Sequence, residues 1–198
     1  MLVVERMTTD PVTIGHDAEV RQALEILKER RLRHLPVLDD DGALVGIVSE
    51  KDLLRAQPDR LVSEVMTKDV VTVTEYTALE EAARIMADSK ISSLPVMRNG
   101  KLVGIVTETD LFQVFLEFLG AREEGVRLTM LIPEEKGMLA SVTSEIANMG
   151  GNILALGTFM GEDPTNRMVT VKVADVPTAK LVAIMEALGM EIVDVREA

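Results

Sequence analysis

The strongest constraint on the fold of this chain is an internal repeat. Short segments recur in the same order 59 residues apart, with Met7-Thr8 matching Met66-Thr67, Val12-Thr13-Ile14 matching Val71-Thr72-Val73, and Leu35-Pro36-Val37 matching Leu94-Pro95-Val96. Beyond the proline the spacing falls to 58, so that Gly46 matches Gly104 and Asp52 matches Asp110. The lost residue falls in turn-forming segments, where a deletion costs least. We therefore predict two copies of one fold.

Each copy has the same predicted order of elements: a strand, a helix, two strands and a closing helix. The strands are expected at residues 12–14, 35–38 and 43–48 of the first copy, and at 71–73, 94–97 and 101–106 of the second. The first helix is expected to begin near Asp17, and its counterpart at Thr77, with Glu80 completing a capping box. One copy holds about 55 to 60 residues, near the lower limit for an independent core, so the pair is the predicted folding unit.

The composition argues against several classes of site and partner. The chain has no cysteine, which excludes thiolate chemistry, and its two histidines, His16 and His34, are too few for a three-histidine metal site. No apolar run reaches the roughly 18 residues of a membrane span, and the amino terminus does not resemble a secretion signal. A net charge of −12 opposes general attraction to nucleic acid. We expect a cytoplasmic protein with no membrane or nucleic-acid partner.

The pattern that carries chemistry is Gly-Ile-Val-Ser-Glu-Lys-Asp at residues 46–52, repeated as Gly-Ile-Val-Thr-Glu-Thr-Asp at 104–110. A hydroxyl residue three positions before an acidic residue at a helix start is typical of a capping box. The same geometry can also bind a nucleotide, because a helix start attracts phosphate and an aspartate can accept hydrogen bonds from two ribose hydroxyls. Both interpretations stay open, since the hydroxyl can cap an empty helix and bind phosphate when a ligand is present.

These motifs, present twice in one order, resemble a pair of CBS (cystathionine beta-synthase) domains, the arrangement called a Bateman module. The resemblance covers about residues 1–118, and we place the two domains at residues 1–58 and 59–120. It implies two clefts between the repeats that hold AMP, ADP, ATP or another adenosine ligand as a regulator. Each cleft would combine the hydroxyl and aspartate of one repeat with the opening segment and pre-proline residues of the other.

Carried onto this chain, the resemblance assigns Thr107 and Asp110 to one cleft with Thr8, Val12, Leu32, Arg33, His34 and Pro36. The other cleft would join Ser49 and Asp52 to Thr67, Val71, Ile91, Ser92, Ser93 and Pro95. The first cleft has Arg31 and Arg33 near the phosphate position, whereas the second has Lys68 and Lys90 as candidate cations. We therefore predict tighter polyphosphate binding in the Asp110 cleft. The alternative for the arginines is a solvated basic cluster at a helix end.

The last third of the chain follows another pattern. After an apolar helix at residues 111–119, strands are expected at 126–132, 152–160, 168–173 and 191–195, with helices opened by Gly137 and Pro177. The order βαββαβ predicts a ferredoxin-like fold. Residues 132–139 and 151–153 resemble the ACT domain, a regulatory module that often binds amino acids at a dimer interface, here at residues 125–198. The resemblance implies ligand contacts from Gly137 and Asn152, and a dimerising domain with an empty site is the alternative.

The whole sequence predicts an α/β (α+β) protein of two CBS repeats and a ferredoxin-like ACT domain. That order resembles a family of small bacterial proteins linked to acetoin utilisation. The expected function is a non-catalytic homodimeric sensor, in which bound adenine nucleotide biases the ACT pair or a partner enzyme. No nucleophile with an adjacent base and no Walker-type glycine loop is found in the sequence, and no metal or catalytic cofactor is expected. The alternative function is a structural dimerisation module that binds no nucleotide.

Overall fold

The computed structural model describes residues 1–161 and 163–197, and the chain divides into two compact units, residues 1–112 and 113–198. The first unit opens with a 3₁₀ turn at Val3–Glu5 and contains strands β1 (Thr8–Thr9), β2 (Ile14–Gly15), β3 (His34–Leu38), β4 (Leu44–Ser49), β5 (Val73–Thr74), β6 (Ser93–Arg98) and β7 (Lys101–Thr107). Its helices are α1 (Val20–Arg30), α2 (Glu50–Leu54), α3 (Val62–Val65) and α4 (Leu79–Ser89), and α5 (Glu108–Phe118) begins in it.

The two repeats form two sheets of the same design, which confirms the predicted duplication. One sheet has the order β2-β3-β4, and the other has the order β1-β7-β6-β5. In each sheet an antiparallel hairpin is flanked by a short parallel strand from the same repeat. The register repeats as well, since Pro36 pairs with Ile47 in the first sheet and Pro95 pairs with Ile105 in the second.

The opening segment of each repeat crosses to the other repeat. Strand β1 pairs with β7, so that Thr8 lies opposite Ile105. Thr67 forms the matching bridge with Ile47, through backbone hydrogen bonds of 2.9 and 3.0 Å. Each repeat is therefore completed by residues that belong, in sequence, to its neighbour.

The recurring methionine and glycine of the two repeats pack against each other across this exchange. A Cβ atom on Gly46 would overlap the side chain of Met66, and one on Gly104 would overlap the side chain of Met7. Because the space above each glycine is occupied by a methionine from the other repeat, any larger residue would displace that methionine side chain. The motifs that reveal the repeat in the sequence are thus contacts between its two copies.

The core of the first repeat is aliphatic, as the scarcity of aromatic residues requires. It is built from α1, β3, β4 and α2, whose buried side chains include Val20, Leu27, Leu35, Val37, Val48 and Leu53. Leu94 and Val96 occupy the matching positions in β6 and are equally buried. Strands β3 and β6, which contain Pro36 and Pro95, are therefore buried in the cores of their repeats. This burial fixes the position of the residues that precede each proline.

The strands expected at residues 12–14 and 71–73 are shorter and later than predicted. Ladder pairing begins at Ile14 in the first repeat and at Val73 in the second. Val12 and Val71 are 37% and 41% exposed. Their apolar side chains suggested membership of a buried strand, but they lie outside the sheets, because pairing with β3 and β6 starts two residues further on.

Helices α1 and α4 also begin later than expected. Glu19 rather than Asp17 precedes α1, and its backbone N–H donates to Gln22 Oε1 at 2.9 Å. Thr77 does not cap α4, because its hydroxyl accepts a hydrogen bond from the Thr74 backbone N–H at 3.1 Å and closes the preceding turn. The expected capping box between Thr77 and Glu80 is therefore wrong.

The second unit has the predicted βαββαβ order. Its elements after α5 are β8 (Val126–Pro133), α6 (Met138–Asn148), β9 (Asn152–Met160), β10 (Asn166–Ala174), α7 (Thr178–Ala187) and β11 (Glu191–Glu197). The sheet order is β11-β8-β10-β9 with every pair antiparallel, which is a ferredoxin-like arrangement. The core joins Leu128 and Val171 of the sheet to Ile146 of α6 and Met185 of α7. No helix in the described part of the chain is long and apolar enough to cross a membrane.

Candidate functional site

Among the cavities between the repeats of the first unit, two contain the hydroxyl–aspartate motifs, and their volumes are about 280 and 370 Å³. We name them the Asp110 cavity and the Asp52 cavity after the aspartate in each. All eight residues assigned to the first cleft line the Asp110 cavity: Thr8, Val12, Leu32, Arg33, His34, Pro36, Thr107 and Asp110. The remaining lining residues are Asp10, Pro11, Arg31, Ser92, Ile105 and Thr109. The exposed Val12 is thus a wall of this cavity.

The Asp52 cavity is lined by seven of the eight residues assigned to the second cleft: Ser49, Asp52, Thr67, Val71, Ile91, Ser92 and Ser93. Pro95 is not among its lining residues, although it is buried in β6 opposite Ile105 just as Pro36 is buried in β3 opposite Ile47. The other lining residues are His34, Ile47, Lys51, Asp69, Val70 and Lys90. Lys51 therefore takes the place beside Lys90 at which Lys68 was expected.

The hydroxyl–aspartate pairs form reciprocal hydrogen bonds at the starts of α2 and α5. Ser49 Oγ donates to Asp52 Oδ2 at 2.5 Å, and the Asp52 backbone N–H donates to Ser49 Oγ at 3.2 Å. The corresponding distances between Thr107 and Asp110 are 2.8 and 3.4 Å. Both motifs are therefore helix caps, as one interpretation of the sequence predicted. The same caps hold both carboxylates at the cavity walls.

The two cavities carry different cations. Arg31 and Arg33 line the Asp110 cavity, and Arg33 Nη2 donates to Thr109 Oγ1 at 3.0 Å, which links the first repeat to the start of α5. The Asp52 cavity has Lys51 and Lys90. A guanidinium presents several donors in a fixed plane and suits bidentate binding of phosphate, whereas an ammonium acts as a point charge. The Asp110 cavity therefore offers planar sets of donors, whereas the Asp52 cavity offers point charges.

His34 lies on the walls of both cavities, and its Nε2 is 3.0 Å from Ser92 Oγ. Burial and the positive charge of Arg33 lower the pKa of His34, while the carboxylates of Asp52 and Glu108 act to raise it. The net effect favours the neutral imidazole near pH 7, because desolvation and a neighbouring cation both oppose a second positive charge.

Sequence reasoning missed Thr109 and Lys51 as cavity residues. Each occupies the position just before the aspartate in its motif, within the first turn of α5 or α2. Their position in the first turn of a helix could have predicted this role, since side chains of the first turn lie beside the capping residue. Their different chemistry, hydroxyl in one repeat and ammonium in the other, is visible in the sequence.

The two residues predicted to bind a ligand in the second unit are not brought together within one chain. Gly137 precedes α6 with a φ angle of 93°, and Asn152 begins β9 beyond the other end of that helix. Helix α6, which lies between them in the sequence, has eleven residues and is roughly 16 Å long. A small cavity near Glu134 and Arg167, whose side chains form an ion pair of 2.5 Å, includes neither residue.

Within residues 1–161 and 163–197, no group of three or more histidine or acidic side chains is arranged to hold a metal ion.

Comparison with known proteins places the repeats in a family. The model of the CBS domain family matches residues 3–59 and 62–117. The chain is 30% identical over 124 residues to protein MJ1225 of Methanocaldococcus jannaschii, and 35% identical over 106 residues to inosine-5'-monophosphate dehydrogenase of Nitrosopumilus maritimus. These matches cover 60% and 53% of this chain, but 43% and 22% of the two relatives. The chain thus spans less than half the length of these curated relatives.

Solved structures resemble the same part of the chain. Protein AcuB of Vibrio cholerae, named for acetoin utilization, is 33% identical with a TM-score of 0.57, over 62% of this chain and 96% of that one. The CBS domain pair of protein MJ0100, in complex with 5-methylthioadenosine and S-adenosyl-L-methionine, is 31% identical with a TM-score of 0.57, over 62% and 98%. CBSX2 in complex with AMP is 33% identical with a TM-score of 0.53, over 58% and 96%.

Proposed function

The chain belongs to the CBS domain family, and on that premise we propose that it is a non-catalytic sensor of adenine nucleotides. AMP, ADP or ATP binds in the Asp110 and Asp52 cavities as a regulatory ligand. The observation that carries the proposal is that each cavity combines a hydroxyl–aspartate pair from one repeat with pre-proline residues from the other. The adenosine ligands bound by the MJ0100 domain pair and by CBSX2 support this choice of ligand class.

The helix caps explain how a nucleotide can enter without leaving polar groups unpaired. At the wall of the Asp110 cavity, Thr107 Oγ1 donates to Asp110 Oδ2. Two ribose hydroxyls can donate to Asp110 instead, which frees the Thr107 hydroxyl to donate to a phosphate oxygen. Because each lost hydrogen bond is replaced, the exchange avoids the cost of a buried unsatisfied group. The same exchange applies to Ser49 and Asp52.

Aliphatic side chains supply the surface for the base. The walls of the Asp110 cavity include Val12, Leu32 and Ile105, and no Phe, Tyr or Trp is among its lining residues. We propose that adenine lies between these side chains with its edges hydrogen-bonded to the backbone. The phosphates then point toward Arg31 and Arg33, and we assign the tighter polyphosphate site to this cavity.

The second unit gives the sensor an output. We propose that it is an ACT-type domain that dimerises and binds a small molecule such as an amino acid, with Gly137 of one chain and Asn152 of its partner at the interface. Nucleotide binding changes the packing of the repeats and biases the ACT pair or a partner enzyme, by no more than the ligand's difference in affinity for the two states. A cytoplasmic role in acetoin utilisation is the specific proposal that the likeness to AcuB supports.

Calorimetric titration tests the proposal directly. The full chain is titrated with AMP, ADP, ATP, NAD and S-adenosylmethionine, beside Asp110→Asn and Asp52→Asn. Each variant should lose binding in its own cavity and retain it in the other. Asp40→Asn, on an exposed turn outside both cavities, is the matched control and should bind as the native chain does.

Thermal unfolding separates the sensor from the structural alternative. A ligand present at 100 times its dissociation constant should stabilise the folded chain by about 2.7 kcal/mol. If no adenosine compound shifts the unfolding transition, the chain is a dimerisation module whose hydroxyl–aspartate motifs are helix caps alone.

A further inference from the structure

The two cavities share a wall made of one residue from each repeat. His34 and Ser92 line both of them, and His34 Nε2 lies 3.0 Å from Ser92 Oγ. His34 belongs to β3 of the first repeat, whereas Ser92 immediately precedes β6 of the second. This side-chain contact is therefore a hydrogen bond between the repeats, placed where each cavity adjoins the other.

Backbone hydrogen bonds connect the same wall to both helix starts. The Ser92 carbonyl accepts from the Glu108 N–H at 3.0 Å, at the start of α5, which carries Asp110. The Arg33 carbonyl, next to His34, accepts from the Glu50 N–H at 2.9 Å, at the start of α2, which carries Asp52. The wall is thus attached to the cap of each cavity, so a change at His34 and Ser92 acts on both.

Charges of both signs act on His34. Arg33 lies beside it in β3, Asp52 acts from α2 and Glu108 acts from α5. The other charged groups on the two cavity walls are Asp10, Arg31, Asp110, Lys51, Asp69 and Lys90. Since burial and Arg33 lower the pKa of His34, its imidazole is neutral near pH 7, and a nearby anion can convert it to the charged form.

We propose that the His34–Ser92 pair couples the two cavities through one proton. This proposal rests on the proposed function, since it requires a phosphate ligand in at least one cavity. A phosphate bound in either cavity favours protonation of His34 by a proton taken from solvent. The imidazolium Nε2–H then donates to Ser92 Oγ, and the Ser92 hydroxyl hydrogen is released to donate to an oxygen of the ligand in the second cavity. The second cavity gains a positive charge and an available hydroxyl donor in one step.

The sign of the coupling distinguishes this mechanism from simple electrostatics. Two bound phosphates repel each other, so independent cavities would bind the second ligand equally or more weakly. Proton uptake at His34 opposes that repulsion and makes binding of the first ligand favour the second. The effect should be strongest between the lowered pKa of His34 in the ligand-free chain and its higher pKa beside a bound phosphate. It should fade in alkaline solution, where His34 stays neutral, and in more acidic solution, where His34 is protonated before the ligand binds.

Titration of the full chain with AMP tests the coupling. Binding is measured at pH 6 and pH 8 in pairs of buffers that differ in ionisation enthalpy, so that proton uptake is counted separately from binding. His34→Asn and His34→Gln are compared with His16→Gln, which alters the one other histidine of the chain. Proton uptake by AMP itself is common to all variants, so the difference between variants reports the protein group.

We expect the native chain and His16→Gln to take up more protons on binding than either His34 variant. The ratio of second-site to first-site affinity at pH 6 should fall by about fivefold in the His34 variants, at the lower end of typical coupling between sites. Ser92→Ala should lower the ratio while leaving proton uptake in place. His34 variants with native proton uptake and native coupling would overturn the proposal while leaving the sensor intact. AMP bound in neither cavity would overturn the proposed function and this coupling with it.

Discussion

The two repeats share a scaffold but differ in the chemistry of their cavities. Their hairpins pair in the same register, and both carry a hydroxyl–aspartate cap at a cavity wall. The residues three positions after the helix end are Arg33 in one repeat and Ser92 in the other, and Thr109 in one cap matches Lys51 in its counterpart. The backbone around each cavity is therefore set by buried side chains and helix caps, which are alike in the two repeats. The cations occupy positions that core packing does not constrain, so they can differ.

The largest effect should come from the shared scaffold. Leu35→Ala and Leu94→Ala each remove a fully buried side chain from matching strands, and each should destabilise the chain by about 2 to 5 kcal/mol. Chemical denaturation of the full chain measures the loss. Leu54→Ala, at a side chain 68% exposed, is the control and should change little. A much smaller loss of unfolding free energy in one of the two variants would show that the two repeats do not contribute equally to stability.

The next effect tests the difference in cations. Arg33→Ser gives the first repeat the residue found at the matching position of the second, and removes a charge-assisted hydrogen-bond donor from the Asp110 cavity. ATP affinity of that cavity should fall by about 1.5 to 3 kcal/mol, the range for hydrogen bonds to charged groups. Calorimetry on the Asp52→Asn background isolates this cavity.

Arg30→Ser is the control for net charge, because Arg30 lies at the end of α1 and is not among the lining residues of either cavity. An equal loss of ATP affinity in Arg30→Ser would show that Arg33 acts through general charge and is part of a solvated basic cluster. Ser92→Arg tests the converse, and should strengthen ATP binding in the Asp52 cavity.

A smaller effect concerns the caps in the absence of ligand. Ser49→Ala and Thr107→Ala each remove a hydroxyl that accepts from the backbone N–H three residues on. Each should lower the free energy of unfolding by about 1 kcal/mol. Ser89→Ala, at the last residue of α4, should not. Variants with unchanged stability would mean that neither hydroxyl contributes as a cap.

The smallest effect is a pH dependence that belongs to His34. Its pKa in the folded chain is below the ordinary value of 6.5, because of burial and Arg33, so protonation favours the unfolded state. The stability contributed by neutral His34 is complete above pH 6.5 and is lost as the pH falls through the lowered pKa. His34→Gln should flatten stability between pH 7 and 5 relative to the native chain, as measured by denaturation. If the free energy of unfolding of His34→Gln varies with pH as it does in the native chain, the pH dependence arises from groups other than His34.

Sequence reasoning was most successful where one local pattern fixes one local structure. The capping boxes of Ser49 and Thr107 follow from residues three positions apart, so no tertiary contact was needed to predict them. The strand prediction failed at Val12 and Val71, which lie outside the sheets, whereas the resemblance correctly assigned both residues to the cavity walls. Sequence reasoning also failed at Thr77, where the hydroxyl had two backbone partners within reach and took the N–H of Thr74.

The sequence by itself determined that two like folds are present and that their helix starts carry capped aspartates. Those features follow from periodicity and from hydrogen bonds that close within one turn. The tertiary structure alone decided that Lys51 reaches the Asp52 cavity, that Pro95 does not, and that His34 and Ser92 form a wall between the cavities. Such placements depend on how one repeat is set against the other, since contacts between residues 58 positions apart have no local signal in a single chain.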